Sequence, residues 1–358
     1  MANRNLNEAA KNKNDEFYTQ FNDIQKELNC YYTYNNNFLR GKTVLLPCDD
    51  PEWSKFTEFF IENFELYGLK KLISTSYAKN SKKFVFNPQI SLFESESPKF
   101  NPTISDLRGK IFTLTQENYI HGEHSPNNLQ WEYLQGDGDF RSDEVKKLRE
   151  EADVIITNPP FSLFREFLKW INPDEKNFLI IGNINCLTYK EVFPLIKDNK
   201  IWLGPSIHSG DRKFYVPDDY PLNAATCGVD AKTGRKFINV KGVRWFTNLD
   251  NDERHKPLQL MTLARNLRYH PKMKHLTEYQ KYDNYDAIEV PATDAIPDDY
   301  PGVMGVPITF LDKYCPEQFE ILGDSRYHDG NPTANDINYI DGKLTYRRIL
   351  IRHKFPEG

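Results

Sequence analysis

The chain has no uninterrupted apolar run of the roughly 18 residues that a membrane-spanning helix requires. Its first residues, MANRNLNEAAKNKNDE, lack the apolar centre of a secretory signal. Cysteine is scarce and odd in number: five residues, at 30, 48, 186, 227 and 315, with no CxxC pair and no Cys/His spacing suited to zinc. Neither a disulfide framework nor a metal site is expected, and a reduced, cytoplasmic protein is. GxGxxG and GxxxxGK[ST] are missing, which disfavours classical dinucleotide and P-loop sites. HExxH and GxSxG are missing as well, so zinc-peptidase and nucleophile-elbow chemistry has no anchor. The formal net charge of −5 argues against indiscriminate coating of nucleic acid, while allowing a local basic face.

What remains is a chain of 358 residues, long enough for about two domains, with an ordinary globular balance of charged and hydrophobic residues. Aromatics are abundant, at 24 Phe, 20 Tyr and 5 Trp. Such rings suit stacking on bases, but packing in a core is their commoner use. Residues 1–12 read as a flexible polar arm. A helix is expected from Asp15 onward, with Phe21, Ile24 and Leu28 on one face. Thr43 to Pro47 reads as a strand. The stripe Phe56, Phe59, Phe60 and Phe64 marks a helix closed by Gly68, and Lys71 to Thr75 a second strand. This strand-helix-strand order seeds a parallel sheet.

Residues 79–130 break the rhythm and read as a β-rich insertion. The sheet resumes at Trp131 to Leu134, Asp153 to Thr157 and Phe178 to Asn183, with helices near 142–151 and 162–170. The expected class is α/β: a doubly wound, mostly parallel sheet. Stretches near 201–203, 213–216, 237–240 and 243–247 read as the meander of an antiparallel edge hairpin. Residues 251–358, rich in Pro, Tyr, Asp and Asn, read as a smaller C-terminal region with short elements only.

The most informative stretch is Asn158-Pro159-Pro160-Phe161. The β-branched run before it reads as a buried strand, and neither proline can donate to a sheet ladder, so the strand stops there. Leu163, Phe164, Phe167, Leu168 and Trp170 then recur at helical spacing. An amide, a rigid turn and an aromatic ring thus meet at the carboxyl end of a strand, the edge where open α/β sheets bind ligands. The Asn oxygen and a Pro carbonyl can accept from an NH2 group while the Phe ring stacks on its π-face. The plain alternative is a strand-to-helix turn with a surface Asn.

Other turns fall at strand ends. Cys48-Asp49-Asp50 and Gly136-Asp137-Gly138-Asp139 are suited to the ribose hydroxyls or amino group of a nucleoside-containing cofactor, although acids are also common turn residues. Phe214, Tyr215 and Tyr220 are candidate stacking rings. From Lys232 to Lys281 the chain carries 12 Lys and Arg against 4 Asp and Glu. Within that span Arg265, Arg268, Lys272 and Lys274 alternate with Tyr269 and His270, a pattern that can neutralise phosphates or simply face solvent.

Taken together, KNDEFYTQF (13–21), CDDPEWSKF (48–56), GDGDF (136–140), TNPPFSLFREF (157–167), YKEVFPLIKDNK (189–200) and WFTNLD (245–250) resemble the EcoRI-type adenine DNA methyltransferases. The resemblance spans roughly residues 13–250. It implies a Rossmann-like methyltransferase domain over 13–250, a target-recognition region over 251–358, and S-adenosyl-L-methionine as cofactor. It implies catalysis by Asn158, Pro159, Pro160 and Phe161. Cofactor contacts are implied from Phe17, Tyr18, Thr19, Cys48, Asp49, Asp50, Asp137 and Asn158. Contacts to DNA are implied from Phe161, Phe214, Tyr215, Arg265, Arg268, Lys272 and Lys274. Two departures stand out: the first-strand loop has no glycine, and Ser74-Thr75-Ser76-Tyr77 lacks the acid that usually holds the ribose. The implied activity is N6-methylation of a flipped-out adenine in double-stranded DNA by a monomer, without a metal, in a restriction-modification or phage-protection system with a cognate restriction endonuclease. RNA adenine, a protein glutamine amide and a catalytically silent DNA-binding module are the alternatives.

Overall fold

Strands buried on both faces need apolar side chains at nearly every position, and the centre of this fold follows that rule. In the computed structural model the described residues are 19–52, 54–78, 101–119, 129–208, 211–215, 227–231, 233–325 and 338–355. The expected N-terminal arm (1–12) lies outside them, as do Phe17, Tyr18 and Tyr220. The chain divides into two compact units, one of 1–186 with 206–249, the other of 187–205 with 250–358.

The first unit is built on β1 (Thr43–Leu46), β2 (Lys71–Thr75), β3 (Lys110–Thr115), β4 (Glu132–Tyr133), β5 (Val154–Thr157) and β6 (Asn177–Asn183). It also holds β7 (Asp211–Tyr215), β8 (Cys227–Val229), β9 (Lys236–Lys241) and β10 (Val243–Thr247). Its central sheet runs β4-β3-β2-β1-β5-β6-β10. The middle, β2-β1-β5-β6, is parallel, with Val44 opposite both Leu72 and Val154. β1 and β5 are buried at all positions. Antiparallel strands complete each side: β3 on β2, β4 on β3, and β10 on β6.

Helices α1 (Phe21–Tyr34), α2 (Lys55–Glu62), α3 (Asp143–Glu151) and α4 (Phe164–Ile171) lie near the positions that periodicity indicates. Ser54 and Ser142 cap α2 and α3, their hydroxyls accepting from the Phe56 and Val145 amides. Phe56, Phe59, Phe60 and Phe64 are all buried in the main core. Each contributes about 1.5–3 kcal/mol by leaving water. Gly182 has a packing reason: a Cβ there would sit 2.4 Å from the Phe164 ring, which rests against β6.

Two expectations are corrected. Residues 110–115, assigned by sequence to a β-rich insertion, form β3 of the central sheet, because Ile111 to Thr115 complete the hydrogen bonds of β2. Elsewhere in that segment the described residues hold the short helix Pro102–Ser105 and turns, and 79–100 and 120–128 lie outside the described residues. The edge meander also splits. β7, β9 and β8 form a separate antiparallel sheet, whereas β10 joins the central one.

The second unit carries helix α5 (Leu263–Tyr269) and a sheet of β11 (Ile288–Glu289), β12 (Met304–Val306), β13 (Phe319–Asp324) and β14 (Ile349–His353), in the order β11-β12-β14-β13. Met304, Val306, Phe310, Phe319 and Ile351 form its core. Residues 187–205, expected with the methyltransferase sheet, cluster here instead. Arg347 donates to the Thr188 carbonyl at 3.2 Å, and the Arg254 guanidinium lies 3.7 Å from the Trp202 ring centroid.

Candidate active site

A strand that ends in Asn-Pro-Pro must hand its chain to a loop at the sheet's carboxyl edge, and β5 does so. Asn158 and Pro159 are buried, Pro160 half-buried. The Pro160 backbone is extended, and its carbonyl accepts from Leu163 N at 2.9 Å. That bond starts the single 3-10 turn Phe161–Leu163, which leads into α4. Phe161 is half-buried, one side against the main core. The chain therefore presents an amide and a partly open ring on a turn with little backbone freedom.

The loop after β1 lies beside it. Asp49 is 6% exposed and accepts from Ser54 Oγ and Thr157 Oγ1, both at 2.6 Å. Its amide donates to the Thr75 carbonyl, and its own carbonyl accepts from Ser74 Oγ at 2.6 Å. Ser74 Oγ is in turn 2.7 Å from Thr57 Oγ1. Asp50 and Glu52 instead meet Lys110, at 3.1 and 2.6 Å. Burial alone would lower the Lys110 pKa, but these two carboxylates outweigh it and hold the ammonium above its ordinary value. Cys48 is half-buried in the same loop.

The Gly136–Asp139 turn reaches the same edge. Ala78 N donates to the Asp137 carbonyl at 2.7 Å. Gly138 has φ +80°, and a Cβ there would stand 2.1 Å from the Ser76 carbonyl oxygen. The close approach that this glycine permits is thus to the end of β2. Asp137 Oδ1 accepts from Asp139 N. Asp139 is taken up by Arg141 at 2.6 Å, and Arg141 reaches Glu166 on α4. Burial would raise the Asp139 carboxyl, but its hydrogen bonds with Arg141 hold it below the usual carboxylate range.

The structure therefore brings Cys48, Asp49, Asp50, Asp137 and Asn158–Phe161 to the loops of one sheet edge. Thr19 is buried, its hydroxyl without a partner among the described residues. Phe214 is corrected: at 3% exposure it belongs to the core and offers no open face for a base. Tyr215 ends β7. Sequence reasoning gave no site role to Thr157, Ser54, Ser74 or Lys110. Ser54 stood in the sequence only as a letter of the CDDPEWSKF motif, and Lys110 gave no signal.

The family model described as adenine-specific methyltransferase EcoRI matches residues 5–354. The chain belongs to this family. It is 42% identical to the Type II methyltransferase M.EcoRI of Escherichia coli, over 98% of this chain and 97% of that one. It is 33% identical to the Type II methyltransferase M.MgeORF184P of Mycoplasma genitalium, over 97% and 98% of the two chains. M.MpnI of Mycoplasma pneumoniae, also a Type II methyltransferase, is 32% identical over 98% of both. No solved structure gives a significant match. The family match extends well past residue 250, where the sequence motifs had stopped. As a member of an adenine-specific methyltransferase family, the protein is an enzyme. No described helix is long and apolar enough to cross a membrane.

Proposed function

We propose that the chain methylates the N6 amine of an extrahelical adenine within a specific site of double-stranded DNA, using S-adenosyl-L-methionine, as part of a restriction-modification or phage-protection system. The observation that carries this reading is the buried Asn158 on its proline-locked turn, with Phe161 partly open beside it at the carboxyl edge of β5.

The donor set fits the cofactor. Thr75 Oγ1, at the end of β2, and Thr19 Oγ1 are buried without partners among the described residues, and the half-buried Asp137 carboxylate stands in the Gly136–Asp139 turn. Hydroxyls and a carboxylate are the groups that hold ribose hydroxyls and an ammonium. When bound, the cofactor supplies a methyl group on a sulfonium, an already activated leaving group. Asn158 Oδ1 and the Pro159 carbonyl accept hydrogen bonds from the adenine amine, which favours a pyramidal nitrogen whose lone pair leaves conjugation with the ring. Phe161 stacks on the base and compensates part of the few kcal/mol that unstacking costs. Positioning and electrostatics do the rest, with no covalent nucleophile.

The second unit offers a surface for DNA. Arg265, Arg268, Lys272 and Lys274 are all exposed on and just after α5, as is Tyr269, which lies beside Arg268. An acidic chain that gathers cations on one segment is suited to phosphates.

Transfer of labelled methyl groups to duplex DNA, RNA and a release-factor-like protein tests the reading. Duplex DNA is the expected acceptor, with N6-methyladenine as product. Asn158→Ala should cost about 10²–10³ in rate, as removal of one preorganised hydrogen-bonding group does. Transfer to RNA or protein alone, or a loss of only a few-fold in the variant, would overturn it.

A further inference from the structure

Asp49 stands in the loop where a methyltransferase meets its cofactor, yet its polar atoms face inward. Oδ2 accepts from Thr157 Oγ1 and Oδ1 from Ser54 Oγ. The amide donates to Thr75 O at 3.0 Å, and the carbonyl accepts from Ser74 Oγ. One buried residue therefore joins the carboxyl ends of three adjacent strands, β2, β1 and β5, to the cap of α2. Thr157 is fully buried and is bonded through its main chain to Asn158. Its side chain is fixed by a bond of 2.6 Å to a carboxylate oxygen atom of a buried residue, where water does not compete.

The consequence for chemistry is geometric. Asn158 needs its side-chain oxygen within a few tenths of an ångström of the reacting amine, and small displacements of such a group cost rate steeply. The prolines at 159 and 160 limit the chain after Asn158. On the other side, strand pairing carries β5 only as far as Thr157, opposite Ile180. The Thr157 hydroxyl extends that anchorage across to β1.

We propose that Asp49 and Thr157 form a positioning clasp that fixes Asn158 for methyl transfer, and that Asp49 acts through Thr157 rather than as a ligand of the cofactor. This rests on Asn158 accepting from the reacting amine. Thr157→Val keeps the shape and removes the hydroxyl, and Thr157→Ser keeps the hydroxyl and removes a methyl. Asp49→Asn leaves one acceptor oxygen where two are used.

The test is the single-turnover methylation rate at saturating S-adenosylmethionine and duplex DNA, with the dissociation constant of S-adenosylmethionine from calorimetry on the same proteins. Thr157→Val should lose at least tenfold in rate, with the cofactor constant within about twofold of the parent. Thr157→Ser should recover to within about threefold. Asp49→Asn should follow Thr157→Val in rate, with little change in cofactor binding. A tenfold weaker cofactor constant in Asp49→Asn at an unchanged saturated rate would make Asp49 a ligand and overturn the proposal. An unchanged rate in Thr157→Val would overturn it too. Should Thr157→Val not fold, Asp49→Asn decides alone, by rate against binding constant. Asn158→Ala run in parallel separates the premise: if that variant keeps full activity, Asn158 is not the acceptor, whatever the clasp variants do.

Discussion

Glu27 gives the first unit a stability that depends on pH. It is fully buried in α1, where Oε1 accepts from Tyr31 Oη at 2.6 Å and Oε2 from Ser206 N at 2.9 Å. Burial raises its carboxyl from 4.5 to about 7, and the bonds from Ser206 and Tyr31 pull the other way without prevailing. An acid whose folded pKa exceeds its unfolded one contributes fully below the unfolded value, and that share is lost as pH rises through the folded value. The window is therefore pH 4.5 to 7. At 1.36 kcal/mol per unit the whole loss is about 3 kcal/mol. Glu27→Gln removes the charge penalty but replaces one accepting oxygen, at a cost of roughly 1 kcal/mol. The variant should gain about 2 kcal/mol at pH 8, and at pH 5 the two effects should nearly cancel. For a unit of this size the gain corresponds to ~5 °C in melting temperature. Thermal unfolding of parent and variant at both pH values measures it. A melting difference that is the same at pH 5 and pH 8 would refute the titration of Glu27.

Phe161→Ala should weaken capture of an extrahelical base by roughly 1–3 kcal/mol; 2-aminopurine at the target position reads this, and equal fluorescence enhancement in parent and variant would count against stacking. Asp137→Ala should weaken S-adenosylmethionine binding in calorimetry and leave DNA affinity alone. Because Arg141 already occupies Asp139, the effect of Asp139→Ala should be smaller, and the reverse order would exchange the two assignments. Neutralising Arg265 and Arg268 should flatten the salt dependence of log affinity by up to about 2, at about 0.9 per phosphate contact. An unchanged slope with intact affinity would make this segment an ordinary solvated face.

The middle of the central sheet is legible because β1 and β5 are apolar runs closed by residues that cannot continue them: Pro47 after Leu46, the two prolines after Asn158. The edge on which they end follows from strand-helix alternation, and so the NPPF turn could be placed before any coordinates. What sequence cannot convey is which groups meet across that edge. Asp49 and Thr157 are 108 positions apart in the chain. Their pairing depends on β1 and β5 being neighbours in register, and an acid in a strand-end turn looks the same whether it faces ribose or a threonine.

The same reason explains the misjudged strands. β3 is short and flanked by polar sequence, so nothing local assigns it to the large sheet rather than to an insertion; only the open edge of β2 does. β9 and β10 are separated by Gly242 alone and read as one hairpin, yet β9 pairs with β7 and β8 while β10 pairs with β6. Trp245 and Phe246 are fully buried, whereas β9 buries only Ile238 and Val240. The strand buried on both faces belongs in the large sheet and the alternating one in a sheet with an exposed face. That contrast is present in VRWFT against KFINVK, and it becomes decisive only once β6 is known to lack a partner on its far side.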